Sequence, residues 1–380
     1  MASTPSKPAH NLDGVVAAST RLSLVDGQAG QLTIAGYPLE ELAGRVSFEA
    51  LAHLLWTGRL LSASELAHAS RQMARLRPLP QKTLDLVRAA SSVPPIDALR
   101  MACSTLSLDL PDPGDISPAA DLAAARMLTA RLPTALAAHI RAARGLDPVT
   151  PREDLPHAAN FLYMVHGREP DPVAARALDT YWVTVMDHGL NASTFTARVI
   201  ASTRSDMVSA VTGAIGAMKG PLHGGAPGPV LDMLLEIRSA DRAEAWLRSE
   251  LAAGRRIMGF GHRVYKVRDP RAEVLSRVAE SMSGAHLENR QLYELARDVE
   301  KIAVRLLEEQ KPGRNLRTNV EFFTALVLQA LGLEPRTFVA MFACGRTAGW
   351  CAHVIEQRAE DHLIRPQSEY IGPRDLKLPR

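Results

Sequence analysis

Beyond one short alternating stretch near its start, the chain spaces its apolar residues three and four apart, the period of a helix and not of a strand. From Leu287 to Glu309, the residues Leu287, Leu292, Leu295, Val299, Ile302 and Leu306 share one face, while Glu, Lys and Arg fill the other. Ser47 opens another such run, SFEALAHLLW, as an N-cap with Ala50 at N3, so the glutamate of a capping box is absent. Phe48, Leu51, Leu54 and Leu55 carry its stripe. Asp121 to Arg144 is rich in alanine and poor in strand formers. Proline and glycine clusters separate these runs at Pro94-Pro95, Pro111 to Pro118, Pro170 to Pro172 and Pro312-Gly313. No strands alternate with the helices, which argues against a dinucleotide-binding or P-loop architecture. Gly259-Phe260-Gly261-His262-Arg263-Val264 begins like a dinucleotide fingerprint but lacks the third glycine and the preceding strand, and Lys219 lacks Walker spacing. The expected fold is all-α. The exception is Arg21 to Tyr37, where Leu22, Leu24, Leu32 and Ile34 alternate with polar residues around Asp26-Gly27 and Gly30, the signature of a small β-hairpin.

Composition narrows the function classes. A chain of 380 residues has room for two or three domains, or one large core with a satellite. It buries enough surface to need neither disulfides nor a structural metal. Its 44 basic and 41 acidic residues are interspersed, giving a net charge of +3 with neither a nucleic-acid arm nor an acidic tail. Cys103, Cys344 and Cys351 are too few and scattered for a disulfide framework or a zinc site, and suit a reducing cytoplasm. Cys344 and Cys351, seven apart, fall on one helix face as small packing residues. The longest uninterrupted apolar stretches, such as that around Leu326 to Leu333, fall far short of the roughly 20 residues of a membrane span. Met1 to Asn11 has neither the apolar region of a secretory signal nor an Arg-rich transit pattern, and is expected to be a short disordered leader.

Four segments place ionisable residues beside glycines in apolar surroundings: DHGLNASTFTAR (187–198), GPLHGGA (220–226), GFGHRVYKVRDPR (259–271), and NVEFF (319–323) with CGRTAGW (344–350). His188 alone reads more readily as a hydrogen-bonded core histidine than as a catalyst. His223 lies between Pro221 and Gly224-Gly225, where backbone can approach a ligand closely. His262, followed by Lys266, Arg268 and Arg271, fits either a solvated basic loop or a pocket for carboxylate or phosphate. His353-Val-Ile-Glu356 has HxxE spacing, but no second ligand pair accompanies it, so no metal is expected. Two histidines next to glycines, one carboxylate among phenylalanines and several arginines together suit proton abstraction beside a carbonyl on an anionic substrate.

From about Leu12 to Gly372 the chain resembles the citrate synthase family, including the 2-methylcitrate synthases. The likeness rests on those four segments together with DGQAGQLTIAGYPLEELA, NFLYMVHGREPDP, GRTAGWCAHVIEQ and LIRPQSEYIGP, in the family's order. It implies a two-domain helical fold, with the large domain over 12–223 and 322–380 and a mobile small domain over 224–321. By resemblance, His223 stabilises the enolate of an acyl-CoA thioester, His262 donates to the keto oxygen of oxaloacetate, and Glu321 removes the α-proton. His188, Arg271 and Arg346 would hold the oxaloacetate carboxylates, with Arg365 reaching in from the second subunit of a homodimer. Lys266, Arg314 and Asn319 would lie on the coenzyme A side. Acetyl-CoA or propionyl-CoA enters as co-substrate, and no permanently bound cofactor, nucleic acid or membrane is implied.

Three positions depart from the family's usual pattern. Glu321 stands where Asp is usual, Pro227 where Asn is common and Ala35 where Arg is frequent. The implied reaction joins acetyl-CoA and oxaloacetate to give citrate. The alternatives are 2-methylcitrate synthesis from propionyl-CoA, since one methylene in an apolar pocket is worth only about 1–3 kcal/mol, and a weakly active paralogue that binds oxaloacetate or acyl-CoA.

Overall fold

The computed structural model describes residue 12 and residues 14–112, 114–224, 227–284 and 286–379; the leader expected over 1–11 lies outside them. Among the described residues sixteen α-helices accompany a single three-stranded sheet, so the chain is all-α with a small β element. Strands β1 (Ser23–Asp26), β2 (Gln31–Ile34) and β3 (Tyr37–Pro38) are antiparallel in that order, with Val25 opposite Leu32 and Ser23 opposite Ile34. The Asp26 carboxylate accepts from the amides of Gln28 and Ala29 at 3.0 and 2.8 Å, closing the turn. Leu22, Leu32 and Ile34 face the core, whereas Leu24 is 65% exposed. The two-residue β3 is too short to show a period in sequence.

At the centre lies the helix Phe338–Glu360, which packs against the helices Phe48–Thr57, Pro118–Ala143, Pro172–Val185, Ala192–Ser202 and Met207–Met218. The buried indoles of Trp56 and Trp182 donate to its carbonyls at Ala348 and Met341. Over Pro335–Glu360 the mean hydropathy reaches 1.2, enough by length and composition for a membrane span. Counting only uninterrupted apolar runs misses this, because Arg346 and His353 break the run. That window is 89% buried against other helices, as befits the core helix of a folded domain. Ser47 caps Phe48–Thr57 as the sequence predicts, its hydroxyl accepting from the Ala50 amide at 3.2 Å.

The segment after His223 forms the helices Pro227–Ile237, Ala240–Ala252, Pro270–Ser283 and Leu287–Gln310. The last packs on the two before it through Ala296, Val299, Ala303, Leu306 and Leu307. Leu287, expected on that face, is 69% exposed, because it is the first residue of the helix and extends past its neighbours. Pro270–Ser283 packs also on Pro172–Val185 and on the helix Val320–Ala330. The four motif segments meet around this junction.

Candidate active site

The loop that carries His262 is fixed by glycine chemistry. Gly259 and Gly261 have φ of 83° and 84°, and a Cβ on Gly259 would stand 2.7 Å from the Phe322 ring. The Gly261 amide donates to the Arg317 carbonyl at 2.7 Å and the Asn319 amide to Gly259 at 3.0 Å, so the loop is held against the chain entering Val320–Ala330. His262 Nδ1 then accepts from the amides of Val264 and Tyr265, both at 3.1 Å. Two donors on Nδ1 assign the ring proton to Nε2. Burial, aided by the Arg271 charge, lowers the imidazole to about 4, so it is a neutral donor at physiological pH.

Arg271 follows the N-cap Asp269 of helix Pro270–Ser283. The Asp269 carboxylate grips its guanidinium at 3.0 and 2.7 Å and also accepts the Val320 amide at 3.2 Å. One buried aspartate thereby ties Arg271 to the helix of Glu321. Arg271 Nη2 lies 3.4 Å from His262 Nε2, and because both carry protons in this tautomer the contact is an approach of two donors and not a hydrogen bond. The His188 ring stands edge-on to His262 with centroids 5.4 Å apart, and its Nε2 is 3.1 Å from the Tyr265 hydroxyl. Burial and the charge of Arg271 hold His188 well below its ordinary value, hence neutral.

On the other side, His223 Nε2 sits 2.7 Å from the Ser193 hydroxyl and accepts from the Ser193 amide at 3.3 Å. The amide needs a lone pair at Nε2, which leaves the ring proton on Nδ1. Trp350 Nε1 holds the same hydroxyl at 3.1 Å. Burial, with the Arg346 charge, lowers His223 to about 4. Arg346 is buried, rests over the Phe342 ring at 4.9 Å and donates through Nε to the Val185 carbonyl; its Nη2 has no partner among the described residues. Burial lowers it to about 10, which leaves it charged. Glu321 is desolvated, and burial raises its carboxyl to about 7, against the opposing pull of Arg271. No donor among the described residues reaches that carboxylate. Two neutral histidines with opposite tautomers, an unpaired carboxylate near neutrality and two buried guanidiniums make a site for enolising one substrate beside a bound anion.

Comparison with known proteins agrees with this chemistry. Residues 11–367 match the family described as "Citrate synthase, C-terminal domain". The citrate synthase of Deinococcus radiodurans is 41% identical over 97% of this chain and 96% of its own length. The chain belongs to the citrate synthase family. The 2-methylcitrate synthase of Mycobacterium tuberculosis is 39% identical over 97% of this chain and 91% of that protein. Among solved structures, the Thermotoga maritima citrate synthase superposes with a TM-score of 0.86 at 38% identity, covering 98% of both chains. The Thermoplasma acidophilum citrate synthase, solved as a ternary complex with carboxymethyl coenzyme A and oxaloacetate, gives 0.91 at 28% identity over 99% of both.

Within this citrate synthase fold, His188, His223, His262, Arg271, Glu321 and Arg346 are brought together. Of the other four, Asn319 lies between the His262 loop and Glu321, Lys266 is near enough for its charge to act on His262, and Arg314 and Arg365 make no hydrogen bond or ion pair with these residues among the described residues. Lys266 is exposed, its Nζ 3.5 Å from the Arg263 carbonyl, and Arg314 is exposed on a turn. Asn319 has both ends of its amide engaged as an N-cap, donating to the Gly261 carbonyl at 2.9 Å and accepting the Glu321 amide at 3.1 Å. It holds the His262 loop to the Glu321 helix. Arg365 lies in the exposed C-terminal segment, donating only to its neighbour's carbonyl at Pro366 among the described residues. Sequence reasoning missed Ser193, Tyr265 and Asp269. Asp269 directly before Pro270 is an N-cap signal that was there to be read; Ser193 and Tyr265 acquire their roles only through contacts 30 and 77 residues away.

Proposed function

We propose that the chain condenses acetyl-CoA with oxaloacetate and hydrolyses the citryl-CoA formed to citrate and CoA. The observation that carries this reading is Glu321: an unpaired carboxylate raised to about 7, on the same N-terminal helix turn that Asp269 ties to Arg271. Glu321 takes the α-proton of the thioester while His223 Nδ1–H hydrogen-bonds the developing enolate oxygen. The enol carbon attacks the keto carbon of oxaloacetate, and His262 Nε2–H donates to the oxygen that becomes the alkoxide. The orphaned Arg346 Nη2 and the Arg271 guanidinium suit the two carboxylates of the acceptor, with His188 beside them. Water then cleaves the thioester.

Both acyl-CoAs stay open as co-substrate, because relatives named citrate synthase and 2-methylcitrate synthase are almost equally similar to the chain. Thiol release with oxaloacetate, measured from acetyl-CoA and from propionyl-CoA, decides between them. Release from neither, in protein that still binds oxaloacetate, overturns the enzymatic reading. In the same proposal the segment 224–321 acts as a lid that expels water before chemistry. The enzyme works as a homodimer completed by Arg365, binds no permanent cofactor, and resides in the cytoplasm, where its three free, buried cysteines stay reduced.

A further inference from the structure

The His353-Val354-Ile355-Glu356 spacing serves a purpose other than metal binding. His353 is fully buried in the central helix, with Nδ1 3.0 Å from Arg198 Nη1 and Nε2 3.1 Å from Asp187 Oδ1. Arg198 is itself anchored, by Glu356 at 2.6 Å and Gln357 at 2.9 Å. A guanidinium only donates, so His353 Nδ1 is the acceptor and its Nε2–H donates to Asp187. The other Asp187 oxygen is buried without a partner of normal geometry, the Ser23 hydroxyl being a weaker neighbour. His353 therefore supplies the one well-formed hydrogen bond to this buried carboxylate among the described residues.

Asp187 immediately precedes His188. The same face of the central helix holds that segment residue by residue. Arg346 donates to the Val185 carbonyl, and Gly349 lets the Met186 carbonyl approach so closely that an added Cβ would stand 2.0 Å from it. His353 reaches Asp187. Positions 346, 349 and 353 are three and four apart, so they share one stripe. From the opposite side Ser23 Oγ accepts the Gly189 amide at 2.7 Å. The backbone on either side of His188 is thus clamped, and its ring is presented to His262 and Tyr265.

We propose that His353 is a positioning residue for oxaloacetate binding, acting through Asp187 on the backbone that aims His188. The inference rests on the reading that His188 faces oxaloacetate. Two substitutions separate the halves of the contact. His353→Gln places an amide N–H where Nε2 was and keeps the donation to Asp187. His353→Asn places its oxygen where Nδ1 was, keeps the Arg198 contact and loses the donation. The expected result is an oxaloacetate KM within about threefold of wild type for His353→Gln and raised about tenfold for His353→Asn, the effect of one lost charge-assisted hydrogen bond. The acetyl-CoA KM and Tm should be alike in the two variants. Equal oxaloacetate KM in both, or a parallel rise in both substrates' KM, would overturn the inference. So would failure of the Asn variant to fold, since the contact would then be structural. Wild-type protein that binds oxaloacetate but releases no thiol would overturn the catalytic reading alone; the same Gln-versus-Asn comparison is then read from oxaloacetate affinity by calorimetry, with the same outcomes.

Discussion

A carboxylate that takes a proton from carbon must lose most of its hydration first, and Glu321 meets that requirement through burial. Because the folded carboxyl sits near 7 and an exposed one near 4.5, the native state retains a proton that the unfolded chain releases between those values. Stability conferred by the neutral form is complete below about 4.5 and lost as pH rises through about 7. Glu321→Gln should accordingly gain in Tm over wild type at pH 8 and gain less at pH 5, a difference scanning calorimetry reads directly. The same substitution should abolish turnover with oxaloacetate affinity changed less than about twofold; substantial residual turnover would mean another group is the base. Wild-type kcat/KM should rise with a midpoint near pH 7 and level off above it, as a base that must be ionised requires. Glu321→Asp tests the extra methylene: withdrawing the oxygen by about an ångström should lower kcat by roughly 100-fold. A rate equal to wild type would show that the backbone tolerates either length.

Between the elements, the small sheet does more than end the fold. The Gly27 carbonyl accepts the Lys266 amide at 2.9 Å, so the β1–β2 turn rests on the loop that carries His262. A Cβ on Gly27 would stand 2.3 Å from the Val264 carbonyl, a backbone atom that cannot swing aside. Since Val264 is also one of the two amide donors that fix the His262 tautomer, Gly27→Ala should lower kcat about tenfold or more by displacing that loop. Its Tm should fall only slightly, because the turn is at the surface; unchanged kcat would show that the loop holds itself. The hairpin itself was legible from Asp26-Gly27 and the alternation, and the helices from their period, because both signals are local. What the turn touches was not legible, since Gly27 and Val264 are brought together only by tertiary packing. The same divide runs through the site: His223, His262 and Arg346 stand out beside glycines, whereas Ser193 is an ordinary helix residue until His223 folds onto it. Asn319, drawn from resemblance as a coenzyme A contact, is also the N-cap of the helix that carries Glu321, a local role its place directly before Val320 could have suggested.

At the scale of the whole molecule, one expected site residue makes no hydrogen bond or ion pair with the other candidates among the described residues. Arg365 is exposed on the extended segment after the central helix, together with Leu363, Tyr370 and Ile371, which are large apolar side chains open to solvent. An apolar, extended arm of that kind suits docking against a second copy, and a two-fold interface would carry both arms across at once. If Arg365 serves the partner's site, then Arg365→Ala and His223→Ala each inactivate a homodimer but complement one another. In a hybrid of the two variants, one site collects both defects and the other has neither. Random exchange makes half the dimers hybrid, so mixing equal amounts should restore about a quarter of wild-type sites, on the closed two-fold arrangement. Titrating thiol release against the mixing ratio, after mild dissociation and reassociation, reads that fraction. Recovery that stays at the level of the separate variants, in a mixture shown by native mass spectrometry to contain hybrids, would place Arg365 and His223 of one site on the same chain and overturn the exchange across the two-fold.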